Sequence, residues 1–199
     1  MIIIPIFANN KKHSPCKLWS ACFKEDYSSR GKPYPVFDKI FNQWNDAGYL
    51  VGFFKNNIAD LQSAFWKGMT PDKAIQNIMD EAYHFEVELK SIELGAPGYQ
   101  NSTFKDVFVE LNKNEFALKN TEKNFRKAKP DFKGTMLRIY AIELEGECFV
   151  VTGGAIKLTE KMKEGNHLLK EKDRLMQVQG FLKEEGIYSL DALLETYNK

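Results

Sequence analysis

Between Met136 and Met162 the chain reads MLRIYAIELEGECFVVTGGAIKLTEKM, two apolar runs with Arg138, Tyr140, Lys157 and Lys161 set in or beside them. A cation on apolar scaffolding is costly unless it is paired or faces a cleft. Arg138 and Tyr140 are two apart, so a strand would carry both on one face. Lys157, at the exit of the second run, could reach the same cleft. Arginine, lysine and tyrosine together could orient RNA and stabilise a pentavalent phosphate without a metal. Tyr140 or Lys157 would then need a lowered pKa to act as general base.

The stretch just before carries a related signal. In K-N-F-R-K-A-K-P-D-F-K, Phe125 and Phe132 stand among five cations, Lys123, Arg126, Lys127, Lys129 and Lys133. Cations hold phosphates and aromatic faces stack on bases. This makes Arg126, Lys127, Lys129, Phe132, Lys133 and Lys161 the candidate RNA-binding residues. The competing reading of the same residues is a solvated lysine-rich linker, with Arg138 in a surface pair with Glu143 or Glu147.

Other residue types offer less. His13, His84 and His167 form no HxH or HxxxH pair. Glu81 and His84 make one ExxH, but a di-metal bundle needs two, so Glu81, Glu86 and Glu88 read as a solvated acidic face and no metal or other cofactor is expected. Gly153-Gly154 lacks the surroundings of a phosphate loop and reads as a bulge or kink. Cys16, Cys22 and Cys148 are scattered without a CxxC, which fits a reducing cytoplasm better than a disulfide framework or a zinc site.

Elements must position these groups. Hydrophobic residues make up 43% of the 199 and charged residues 28%, an ordinary globular balance with a formal charge of +1. The charge is uneven. From Lys119 to Arg138 there are seven cations against two anions, and from Asp60 to Glu93 seven anions against three cations. Ile2 to Phe7 predicts a strand, being too short and too unadorned for a signal peptide, and Cys16 to Phe23 a second. No stretch approaches a membrane span. Phe37, Ile40, Phe41 and Trp44 space as a helix. Leu50, Phe54, Ile58, Leu61 and Phe65 predict another, ending near Gly68. Thr70 as N-cap, Pro71 at the first helical position and Asp72 near the positive pole open a long third helix, whose apolar stripe runs from Ile75 to Ile92 and stops at Gly95.

The loop from Ala96 to Thr103 suggests a boundary, with strands and three helices in residues 1–95 and an α/β region in 96–199, or one continuous domain. Val107 to Leu111 predicts a strand, and Asn112 to Asp131 a basic, partly helical segment. Leu137 to Leu144 and Cys148 to Thr152 form a hairpin around Glu145-Gly146, and Gly153-Gly154 breaks the second strand before Ala155 to Leu158 resumes it. Thr159 can cap a helix with the stripe Leu168, Leu175, Val178 and Leu182, ended by Gly186, and Ser189 opens a terminal helix. The expected class is α+β, an antiparallel sheet flanked by helices with an N-terminal helical region.

The run LRIYAIELEGECFVVTGGAIKLTEKM, followed by E-x-x-R-L at Glu171 to Leu175, resembles the RelE/HigB-like toxin superfamily of type II toxin–antitoxin systems. Leu137-Arg138 matches the Arg-bearing strand and Phe149 to Val151 the apolar strand. Gly154, Ala155, Ile156, Lys157 and Thr159 match the segment where the family commonly shows G-F-x-K-K-x-T. The likeness covers roughly Val107 to Gly186, and Leu158 stands in place of the second lysine. It implies a curved antiparallel sheet, metal-independent mRNA cleavage by attack of the ribose 2′-OH, on or off the ribosome, and inhibition by an antitoxin protein. It carries catalytic roles onto Arg138 and Lys157; Tyr140 and Lys133 join them by proximity. A non-catalytic RNA- or protein-binding regulator on the same fold is the alternative. The acidic surface of residues 1–95 could cover the basic cleft as an antitoxin segment would.

Overall fold

A computed structural model describes residues 1–7, 15–28, 30–111, 123–131, 134–159 and 166–198, with side chains of the last long helix from residue 169. The chain is α+β. Strands β1 (Ile2–Pro5) and β2 (Leu18–Cys22) come first, followed by helices α1 (Val36–Trp44), α2 (Ala47–Asn56), α3 (Ile58–Leu61) and α4 (Pro71–Leu94). The short helix α5 (Phe104–Val107) leads into β3 (Val109–Glu110), β4 (Phe125–Ala128), β5 (Leu137–Leu144) and β6 (Cys148–Ile156). Helices α6 (Asn166–Glu184) and α7 (Leu190–Tyr197) end it. The six strands form one sheet in the order β1-β2-β6-β5-β4-β3. Pairing is antiparallel throughout except between β2 and β6, which run parallel.

The two apolar runs occupy β5 and β6, the middle of the sheet, as their apolar character on both faces requires. Strands from both sides of residue 96 lie in this one sheet and share one hydrophobic core. Residues 1–95 therefore supply β1, β2 and nearly half of the core.

Local signals set several boundaries where expected. The Thr70 hydroxyl accepts from the Lys73 N–H at 3.3 Å, and Gly95 closes α4 in the left-handed region with φ 57°. Ser189 caps α7, its hydroxyl accepting from the Ala192 N–H at 3.2 Å. We expect Thr70→Ala to cost about 1 kcal/mol of stability, the usual worth of such a cap, read as a lowered urea midpoint.

Four expectations need correction. The helix expected from Leu50 to Gly68 is divided into α2, α3 and a 3-10 turn at Ala64–Trp66. The segment 107–111 holds the end of α5 and only two strand residues. Of the basic segment Asn112 to Asp131, expected to be partly helical, residues 112–122 lie outside the described residues, and the described remainder contains strand β4 instead of helix. Its backbone pairs with β5 from Phe125↔Ile142 to Ala128↔Ile139, and a sheet neighbour overrides weak local propensity. Finally, β6 runs unbroken through Gly153-Gly154, and the bulge expected there falls at the adjacent Thr152, because Tyr140 pairs with Gly153 while Ala141 pairs with Val151. The Thr159 cap would fall before α6, beside residues 160–165, which lie outside the described residues. Among the described residues, no helix is long and apolar enough to cross a membrane.

Helix α4 fastens the sheet at both ends. The starts of β5 and β2 lie at opposite ends, since β2 runs parallel to β6 and β5 antiparallel to it. Glu81 and Glu93, twelve residues apart, stand about 18 Å apart along a helix axis. The Glu81 carboxylate accepts from the N–H groups of Met136 (2.8 and 3.1 Å) and Leu137 (2.9 Å). The Glu93 carboxylate accepts from those of Lys17 and Leu18 at 3.1–3.2 Å. Each carboxylate thus satisfies two backbone donors where strand pairing begins.

Candidate functional site

Alternation along paired strands decides which of the expected groups meet. Lys127 pairs with Tyr140, Tyr140 with Gly153, and Arg138 with Ala155. Residues directly opposite in a sheet share a face, as do residues two apart. Lys127, Arg138 and Lys157 therefore lie on one face of three adjacent strands. The Lys157 N–H donates to the Met136 carbonyl at 2.7 Å and extends the pairing one step beyond β6. All three side chains are half-buried. The Arg138 guanidinium leans along its own strand, donating to the Thr135 carbonyl (3.0 Å) and hydroxyl (3.1 Å) and to the Leu137 carbonyl (2.5 Å). A cationic row crossing a sheet is suited to a phosphodiester backbone.

Tyr140 lies on this face but is fully buried. Its cross-strand partner Gly153 has the α6 carboxylate of Glu171 where its own side chain would be, so α6 covers this part of the face. In this conformation Tyr140 cannot touch a substrate, which corrects its expected role as a general base.

Arg126 is likewise placed elsewhere. It pairs with Ala141 and so takes the opposite face, where it meets Glu143 at 2.5 Å. Lys105 reaches Glu143 at 3.8 Å and Glu147 at 3.4 Å, and Lys17 reaches Glu147 at 3.2 Å. The surface pair expected between Arg138 and Glu143 does not form, because residues five apart on a strand face opposite ways. Glu147, the other partner expected for Arg138, is held by Lys17 and Lys105. Lys129 is exposed and lines a cavity of about 260 Å³ with Glu88 and Asp131. Phe132, Lys133 and Lys161 lie outside the described residues, as do His13 and the side chain of His167.

Leu158, in the place of the family's second lysine, is core, and its carbonyl accepts the Trp66 indole N–H at 2.7 Å. Burial pushes the Cys16 thiol up to about 12 and the Cys22 thiol up to about 11, so neither is a reactive thiolate.

The structure also assembles groups that the sequence left apart. At the shared C-terminal end of β2 and β6, Asp26 holds Lys39 of α1 and Arg174 of α6, the latter at 3.2 Å. The Arg174 guanidinium lies over the Phe23 ring at 5.1 Å and reaches Glu171 at 3.8 Å. Glu171 is buried, and the Gly154 N–H donates to its carboxylate. Burial raises its pKa to about 7, against the pull of Arg174, Gly154 and Lys39. The only local trace of this quartet in the sequence is the i, i+3 spacing of Glu171 and Arg174.

Glu81 shows the same effect. Far from a solvated acidic face, it is buried, and its pKa is raised to about 7 by that burial despite the two strand N–H groups. His84, its ExxH partner in sequence, is exposed on α4, so the two share no site.

The class that fold and site define is an α+β protein with a helix-sandwiched mixed sheet and a cationic row on one face. Comparison with protein-family models, curated proteins and solved structures finds no match.

Proposed function

We propose that the chain is a toxin-like RNA-binding protein of the RelE/HigB kind, which holds the phosphodiester backbone on the row Lys127–Arg138–Lys157. The observation that carries this reading is the placement of three cations on one face of three neighbouring strands, two of them the residues that match the family pattern. An antitoxin protein is the partner the reading implies, and the same row is what it would cover.

The burial of Tyr140 favours binding without cleavage. Strand scission through the ribose 2′-OH needs a proton acceptor at the attacking oxygen, and the tyrosine beside the row lies under α6. The row alone can neutralise phosphate and stabilise developing charge, so an endoribonuclease would need its base from Lys157 or from a rearrangement that uncovers Tyr140.

Fluorescence anisotropy with a labelled single-stranded RNA tests the proposal. Replacing Lys127, Arg138 and Lys157 together by Ala should weaken binding and flatten the log–log salt dependence by about 2, the value for three lost phosphate contacts on a single strand. An unchanged affinity and salt slope would remove the row from RNA recognition. RNA cleavage by the unaltered protein, lost on R138A/K157A, would restore the enzyme reading.

A further inference from the structure

Glu81 and Glu171 are the buried carboxylates among the described residues, and they differ in one respect. Both Glu81 oxygens accept strand N–H groups. Oε2 of Glu171 is buried and has no donor. Both nearby cations are committed to Asp26: Lys39 binds it directly, and Arg174 is closer to it (3.2 Å) than to Glu171 (3.8 Å). Glu171 is therefore ringed by positive charge that another carboxylate has already taken.

We propose that Glu171 is a proton-operated latch for α6, holding the helix on β6 when its carboxyl is protonated and releasing it when the carboxyl is ionised. A neutral carboxyl costs far less to bury with an idle oxygen than a carboxylate does. The oxygen sits against Gly153, where no donor meets it, and lifting α6 would give it water. The groups facing it are Arg174 on α6, Lys39 on α1, Asp26 after β2, Tyr49 on α2 and the Gly154 N–H of β6. Of these Asp26 opposes ionisation, and Arg174, Lys39 and Gly154 favour it. The raised pKa of about 7 puts the change near neutrality. Lifting α6 would uncover Tyr140, the cross-strand neighbour of Gly153. The latch stands whether or not the sheet face binds RNA.

Amide hydrogen exchange of the full chain at pH 6 and pH 8, corrected for intrinsic rates, tests it. Protection of α6 amides should fall on the order of ten-fold at the higher pH, while β5 and β6 stay protected. In Glu171→Gln, α6 should remain protected at both values. Asp26→Asn should move the midpoint of the change to lower pH and Arg174→Gln to higher pH, because the first removes a charge that opposes ionisation and the second one that favours it. Equal protection of α6 at both pH values, or the same loss in Glu171→Gln, would overturn the latch. If Glu171→Gln does not fold, the downward shift in Asp26→Asn carries the test, and its absence is equally fatal.

Discussion

Gly153→Ala should destabilise the protein by about 3 kcal/mol, in the range for overpacking a filled core. A side-chain carbon at this position would fall inside the Glu171 carboxylate. Moving the carboxylate aside is costly, because Glu171 is buried and its helix is tied to Asp26 through Arg174. For a chain of this size such a loss lowers the melting temperature by roughly 6–12 °C. Gly153→Ala combined with Glu171→Ala should recover a large part of the loss, since the second change removes the obstructing carboxylate. That non-additivity marks direct contact. A melting temperature within a degree or so of the parent would show that α6 does not sit on Gly153. Gly154 makes the complementary approach. A carbon there would meet Ile40 Cδ1 at 2.7 Å and the Trp44 ring at 3.0 Å. The glycine pair thus admits α6 on one face of β6 and α1 on the other.

Stability should fall as pH rises from about 5 to 8. Glu81 and Glu171 each have a folded pKa of about 7 against an ordinary 4.5. A carboxyl raised on folding contributes its full share below its unfolded pKa and loses it as pH climbs through the folded value. Each group accounts for about 3 kcal/mol across that interval. Asp38 and Glu88, raised chiefly by burial, act in the same direction. Urea midpoints at pH 5 and pH 8 give the measurement. Glu81→Gln plus Glu171→Gln should flatten most of the slope, and a midpoint that rises with pH would refute the assignment. Glu81→Ala should be worse than Glu81→Gln at pH 5, because it strands the Met136 and Leu137 N–H groups in a buried setting.

Parts of this molecule were legible one segment at a time. The stripe from Ile75 to Ile92 and the stops at Thr70 and Gly95 defined α4 without reference to the rest of the chain. The apolar character of both faces of Leu137 to Leu144 placed that segment mid-sheet. Strand β4 was not legible in this way. Arg126 and Lys127 are poor evidence for a strand until β5 offers its edge and Glu143 offers a counter-charge. Glu81 read as solvent-facing because it stands in an acidic run; its partners are backbone groups 55 and 56 residues away.

The sequence by itself determined the long helices, the central hairpin, and the alternation that sets Arg138 and Tyr140 on one face. These follow from periodicity and capping, which act over a few residues. Only the tertiary structure decided that Tyr140 is covered, that Arg126 faces away from the row, and that Asp26 and Arg174 meet across 148 residues of chain. Burial and Coulomb interactions depend on distance through space rather than along the chain, so a carboxylate's company is settled only when the sheet and its helices close around it.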